Sequence, residues 1–558
     1  MSVDSDAGAR SPRSGPSRGS SWNRPVSRRA ALRGAAVLGA GFAMPTLLAA
    51  CGVAKSSGSD PDGGTLTMGI DGTSGIIDPT YYDTIGDWMA VDCICRGLTF
   101  ISFETTDVQP DLAESWDISA DEKTYTFHLR KGVTFQDGTT FTSKDVLASL
   151  NRQFDANDPT VPTGAARPLQ DVGANLASMT APDDSTVVLV LDSPDRTLLG
   201  NLSDIGGRIL SSAALDKYGK NIGKHPVGTG PFEFVSATAG QSITLKPFAR
   251  YRLGKPKLDG LVLQQVQDSA TMISSLISGA VNATDFTPYS AVKQLRANSA
   301  VKVYDTPYGY DAFVMMDVRK PGLKDIRVRK AINLAIDRKT IIAEAFYGVA
   351  ALPDGYAIPP AQPGYDPSLA DLSTTDVAAA KALIKEAGAA GTSLAMICED
   401  GTWHPAAAQI IAQNLGDIGL DVTIESLPTA TYSERVFEPT SQGHELMMWE
   451  INSYVPDPDN TIGSLAYPTG VYGDLMAGFS TLPGSAKYAT LLTTIKNLPT
   501  AAERAAAYTK VQREWAEEFM VLAMLCYSTN VVTTSSDVTG LNVDALSNFR
   551  CFPEGARD

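Results

Sequence analysis

Histidine, cysteine and positive charge are scarce in this chain. Four histidines in 558 residues are few for a metal site. The six cysteines, Cys51, Cys93, Cys95, Cys398, Cys526 and Cys551, are too sparse for a disulfide scaffold. Cys93 and Cys95 lie two apart, on one face of a strand or on divergent faces of a helix. A zinc site usually needs a C-x-x-C pair and a second such pair, and neither is present. The thiols therefore read as structural or as one disulfide, with an odd thiol left over if Cys51 is modified. Basic residues number 46 against 62 acidic ones, a net charge of -16. Such a surface repels nucleic acid and anionic lipid and mildly favours a cationic ligand. A fixed-period repeat is also missing, which argues against a solenoid or propeller.

Catalytic signatures fail one by one. His444-Glu445-Leu446-Met447-Met448 opens like a zinc-protease helix but has Met where the second ligand belongs. Gly219 to Lys224 is too short for a phosphate loop, and His225 stands where Ser or Thr is required. Gly228-Thr229-Gly230 runs into Pro231 and is no dinucleotide fingerprint. Ser74 is followed directly by Gly75, which breaks a nucleophile elbow. Asp457-Pro458-Asp459-Asn460-Thr461 lacks the Gly and distant Glu of a calcium loop. No catalytic residue, metal ligand or cofactor is expected. A secreted hydrolase is the enzyme reading these failures count against.

What is present begins with an address. Arg28 and Arg29 sit in Ser27-Arg28-Arg29-Ala30-Ala31-Leu32-Arg33, the form of a twin-arginine export signal with Ala31 in place of the usual Phe. Gly34 to Ala50 carries no charge and is too short and too rich in Gly and Ala for a spanning helix. Leu48-Ala49-Ala50-Cys51-Gly52 matches a bacterial lipobox, so residues 1–51 read as a lipoprotein signal in which the Cys51 thiol is acylated and the peptide preceding it is removed. That removal takes away seven Arg and two Asp and leaves a net charge of -21. Residues 52–63, rich in Ser, Gly and Asp, have the composition of a flexible tether. The expected product is exported and held by lipid on the outer face of the cytoplasmic membrane.

At 558 residues the chain exceeds one hydrophobic core, so two or three lobes are expected. Thr65 to Ile70, Thr124 to Arg130 and Thr186 to Leu191 alternate as strands. Ser143 to Phe154 reads as a helix capped by Ser143, and Asp325 to Tyr347 as one long amphipathic helix. Asp376 to Ala387 has an acidic cap and Gly388 as its stop. Pro405 to Gly416 followed by Leu420 to Ser426 is helix then strand, and 484–518 a helix pair broken near Pro499. The mixture gives an α/β class.

Residues 110–151, PDLAESWDISADEKTYTFHLRKGVTFQDGTTFTSKDVLASLN, strongly resemble the signature region of family 5 bacterial extracellular solute-binding proteins, the oligopeptide-, dipeptide- and nickel-binding group. His225 to Phe232, Tyr251 to Gly260 (with Arg252 where Trp is common), Asp325 to Arg338, Asp376 to Gly388, Gly416 to Glu425 and Asp457-Pro458-Asp459-Asn460 match later segments in order, so the resemblance spans roughly residues 64–550. It implies a two-lobe type II periplasmic-binding-protein (Venus-flytrap) fold with an extra subdomain. Lobe I would be 64–107 plus 231–308 plus 529–558, the subdomain 108–230 and lobe II 309–528, with hinge strands near Tyr308 to Phe313 and near Tyr527. It implies a monomer that closes on a small solute and delivers it to an ABC permease driven by partner ATPase subunits. A surface sensor or chaperone on the same fold is the alternative. In peptide-binding relatives a carboxylate before the DPDN loop pairs with the peptide amine; here Ser453 or Tyr454 holds that place. In nickel-binding relatives a His stands where Asp459 does. Neither a simple peptide nor nickel is thereby implied. The candidate ligand-binding residues are Asp71, Tyr308, Trp403, Trp449, Asn452, Tyr454 and Asp457. Asp71 ends the first strand, and Trp449 and Tyr454 are suited to stack a planar ligand or hold a cation. The competing roles are core packing for the aromatics and a helix cap or turn for Asp457.

Overall fold

The computed structural model describes residues 63–81, 84–102, 107–155, 157–305, 309–360, 362–437, 443–452 and 457–539. The export signal with Arg28 and Arg29, the lipobox Cys51, and the candidates Tyr308 and Tyr454 lie outside them.

Strands that the alternation predicts form and pack on two separate hydrophobic cores. Thr186–Leu191 and Thr124–Leu129 each bury every second side chain. With Ala113–Ile118 and Leu176–Asp183 they build a four-stranded antiparallel sheet. Phe127, Leu129, Val133 and Phe135 pack its core. Asp137-Gly138 makes the turn beside it, Gly138 taking a φ of 90° that suits a residue without a Cβ. A second, seven-stranded sheet runs Phe232–Thr238, Ser242–Pro247, Gly260–Gln265, Thr65–Ile70, Ala283–Thr284, Val531–Ser535, Val301–Asp305. Within it Thr65–Ile70 is parallel to both of its neighbours. The third, five-stranded sheet has the order Asp421–Leu427, Ser393–Glu399, Leu446–Asn452, Tyr310–Met316, Leu522–Ser528. Ser393–Glu399 is parallel to the strands on both of its sides.

Two chain crossings join the larger sheets. Val301–Asp305 leads toward Tyr310–Met316, and Leu522–Ser528 returns through Thr529 and Asn530 to Val531–Ser535. The crossing chains pair with each other on both sides. Two crossings between one pair of sheets are the kind of connection about which two lobes can turn while each sheet stays intact. The mixed α/β, two-lobe architecture with a third sheet is the one the sequence implied.

Some helices differ from the sequence reading. The helix at Ser143–Phe154 is capped by Thr142, not Ser143, because Thr142 and Asp145 close a reciprocal capping box. The long helix from Asp325 is two, Ile326–Ala335 and Arg338–Glu344, because Ile336 is extended and Asp337 caps the second by accepting from the Thr340 amide. Val377–Ala387 follows the reading, with Asp376 capping it and Gly388 left-handed at its end. Cys93 sits in the buried helix Ile85–Ile94, with Cys95 just past its end. Cys93, Cys95, Cys398 and Cys526 are free and buried, and burial pushes their thiols up. No helix of the described residues is long and apolar enough to cross a membrane.

Candidate functional site

Parallel strands open at their carboxyl ends, where the loops that follow them diverge and leave a crevice. Both larger sheets present such ends to one cavity of about 840 Å³. From the seven-stranded side come Asp71, just past Thr65–Ile70, Gln267, past Gly260–Gln265, and Asp285, past Ala283–Thr284. From the five-stranded side come Glu399, ending Ser393–Glu399, then Trp403 and His404 at the start of helix His404–Asp417, and Trp449 and Glu450 in Leu446–Asn452. Tyr310, Ser528, Thr529 and Asn530 from the two crossings form its back, and Asp204 and Pro168 reach it from the smaller sheet's region. The cavity thus lies between lobes and is touched by all three parts of the chain.

Its walls are aromatic and acidic. Trp449 packs against Tyr432, Phe437 and Tyr472, with ring centroids 5.8, 5.2 and 6.3 Å away. Trp403 is only 2% exposed. It stacks between Phe346 and His404 and donates its indole N–H to Glu450 Oε2 at 3.2 Å. Thr429 Oγ1 donates to Glu399. Asp285 is 2% exposed, and its Oδ1 has no hydrogen-bond partner among the described residues. Loss of surrounding water raises all four carboxyls, because the charged form is the one that water stabilises. Glu450 is pushed up to about 7, opposed by the Trp403 bond and helped by Glu399. Asp285 is raised well above its ordinary range by burial and then by Asp71. Glu399 is raised chiefly by burial, and Asp71, although exposed, by desolvation within the crevice. Burial lowers the His404 imidazole to about 4, so it is neutral at pH 7.

Of the candidates named from sequence, the structure brings Asp71, Trp403 and Trp449 together here. Asn452 ends its strand opposite Tyr310. Asp457 stands elsewhere. It caps helix Pro458–Ala466, accepting from the Asp459 amide at 2.9 Å with Arg504 3.8 Å away. It lines an adjoining cavity of about 600 Å³ with Asp195, Asp459 and Lys496, which shares Asn460 and Ser464 with the first. Its carboxylate is committed to the cap, the role that competed with ligand binding in the sequence. Sequence reading missed Asp285, Glu399 and Glu450. Glu450 is the neighbour of Trp449 and Glu399 closes a predictable strand, so strand ends followed into the crevice would have found both. Asp285 follows a two-residue strand that leaves no periodic trace.

The profile described as "Bacterial extracellular solute-binding proteins, family 5 Middle" matches residues 107–473. The chain belongs to this family. The glutathione-binding protein GsiB of Escherichia coli O1:K1 is 35% identical over 283 residues, 50% of this chain and 52% of that protein. The chain thus spans about half the length of the curated relatives it matches. Among solved structures, the periplasmic binding protein DppA from Helicobacter pylori, in complex with peptide STSA, is similar at a TM-score of 0.77 and 28% identity. That match covers 88% of this chain and 98% of the other. The binding protein AgaA in complex with agropinic acid, from A. tumefaciens R10, gives 0.74 and 26%, covering 87% and 97%. The family 5 chain therefore has the type II periplasmic-binding-protein fold. GsiB, DppA and AgaA are each named as binding proteins.

Proposed function

We propose that this protein is the extracellular solute-binding component of an ABC importer, which captures a small polar organic solute between its lobes and presents it to a membrane permease. The observation that carries the reading is the aromatic, carboxyl-lined cavity at the strand ends of two lobes joined by a double crossing. Closure about the crossings buries the solute, and the solute shifts the open–closed equilibrium by its greater affinity for the closed form. We divide the body into lobe I at 64–107 plus 231–308 plus 529–558, a subdomain at 108–230 and lobe II at 309–528; the seven-, four- and five-stranded sheets fall one in each, while the short pairs Arg96–Gly97 with Arg208–Ile209 and Thr99–Ile101 with Val108–Pro110 tie lobe I to the subdomain. Asp71, Trp403 and Trp449 act on the solute from the cavity wall, and Tyr308, Asn452 and Tyr454 remain candidates for the same role on the sequence alone. The lipobox and twin-arginine pattern support export through Arg28 and Arg29 and anchoring through Cys51. The protein works as a monomer with permease and ATPase subunits as partners.

A thermal-shift screen of the purified full chain against peptides, oligosaccharides, amines and metal chelates tests the reading. A ligand at about 100 times its Kd stabilises by roughly 2.7 kcal/mol. One class is expected to raise the melting temperature in proportion to log concentration. A flat response across every class would contradict the reading.

A further inference from the structure

Charge in the cleft is one-sided. Asp71, Asp204, Asp285, Glu399 and Glu450 line it, and among the described lining residues none is Lys or Arg. The segments 82–83, 306–308 and 453–456, which neighbour lining residues in the chain, contain no Lys or Arg in their sequence. Arg167 is next to Pro168 on the wall, but its guanidinium is spent on the Gln153 carbonyl and on Gln170. The one histidine on the wall is neutral at pH 7.

Four of the carboxyls form a chain of electrostatic neighbours across the cleft. Asp285 is influenced by Asp71, Glu399 by Asp71, and Glu450 by Glu399. The Asp71–Glu399 link runs from one lobe to the other. Like charges facing across a hinge oppose closure unless something positive lies between them. Buried carboxylates also need a counter-charge or donors to stay ionised, and the orphan Oδ1 of the nearly inaccessible Asp285 is an acceptor awaiting one. Among the described residues no three acid, histidine or cysteine side chains converge closely enough to share a metal ion. The negative charge is spread along the cleft rather than focused on a point. Aromatic faces at Trp449 and Tyr472 offer further attraction to a cation.

We infer that the cleft selects an organic amine cation bearing no free carboxylate or phosphate, with ammonium groups bridging Asp71 and Asp285 of one lobe to Glu399 and Glu450 of the other. This rests on the reading that the cleft is the solute site, and it names the solute's chemical class. A zwitterion such as a free dipeptide brings a carboxylate that meets only like charge on these walls. The bridging ammonium offsets repulsion across the hinge, so closure depends on the cation.

The test is isothermal titration of the full chain at low ionic strength with three probes: spermidine, Ala-Ala amide and Ala-Ala. The last two differ only in the C-terminal charge. Ala-Ala amide or spermidine is expected to bind at least about tenfold more tightly than Ala-Ala. Asp71→Asn and Glu450→Gln should each weaken the cation by about tenfold or more. Both replacements keep shape and remove a charge the fold disfavours, so circular dichroism should show them folded. Ala-Ala binding as tightly as its amide, cation binding indifferent to both variants, or no cation binding at all would each overturn the inference. The broader solute-binding reading then stands or falls separately on the thermal-shift screen, where a peptide or sugar response would leave it intact.

Discussion

Glu450 shows how one residue joins stability to binding. Its carboxyl, ordinarily near 4.5, is held up at about 7 by burial, so the fold favours the neutral form. The stabilisation this gives is full below pH 4.5 and is lost as pH rises through about 7. Glu450→Gln keeps an acceptor for the Trp403 indole and removes the titration. The variant and wild type should therefore have equal stability near pH 4.5, while above pH 7 the ligand-free variant should be the more stable by about 3 kcal/mol. Chemical denaturation across that range measures the gap, and a gap that does not change with pH would refute this role for Glu450. Legibility at this scale was uneven. Trp403, Trp449 and Asp71 could be named because aromatics and a strand-end acid are conspicuous in sequence. Asp457 was equally conspicuous, yet a cap residue and a ligand carboxylate look the same until the Asp459 amide is seen 2.9 Å away.

Elements are held by buried ion pairs where hydrophobic alternation ends. Helix Ser143–Phe154 is tied to the loop after the first strand through Arg152, whose Nη1 and Nη2 donate to Asp78 at 2.9 and 2.6 Å. Both side chains are 1% exposed. Truncating one partner strands a charge in the interior, at a cost of about 3–5 kcal/mol. Asp78→Ala should lose that much in urea denaturation, and the double variant Asp78→Ala with Arg152→Met should recover part of it. A loss under about 1 kcal/mol for Asp78→Ala would show that the pair contributes little. Asp111 plays a similar part. Burial pushes its carboxyl up, but Arg96 and Arg252 outweigh that and hold it below the ordinary range. Arg252 stands where relatives commonly have Trp, and its pairing with Asp111 gives that departure a structural purpose. Strands were legible at this scale because alternation survives in Thr124–Leu129 and Thr186–Leu191. The break at Ile336 was not, since the apolar spacing runs through it and only the Asp337 cap betrays a new helix.

Across the whole molecule, contacts span from the small sheet's region to the helix pair of the five-stranded lobe. Lys496 lies 3.4 Å from Asp195, and Arg196 donates to the Pro499 carbonyl at 2.9 Å. They bridge the two regions without lining the larger cavity, as expected of contacts made on closure. Lys496→Met is expected to weaken solute affinity about two- to fivefold, through about 0.5–1 kcal/mol lost from the closed form. Unchanged affinity in a titration would show that the contact forms equally in the open state. At the other end of the chain, Cys51→Ala should release the protein from the membrane fraction or block its maturation; full retention after detergent-free washing would contradict a lipid anchor. The two-lobe plan was legible because long family motifs recur in order. The cleft's chemistry was not, because Asp285, Glu399 and Glu450 come from strands far apart in the chain that only folding brings together. The most direct test of the central claim is uptake of the solute identified by thermal shift, labelled and followed in cells with and without the gene. Uptake that collapses on deletion and returns with the wild-type chain but not with Glu450→Gln is the predicted result. Uptake unaffected by the deletion would contradict an importer's receptor.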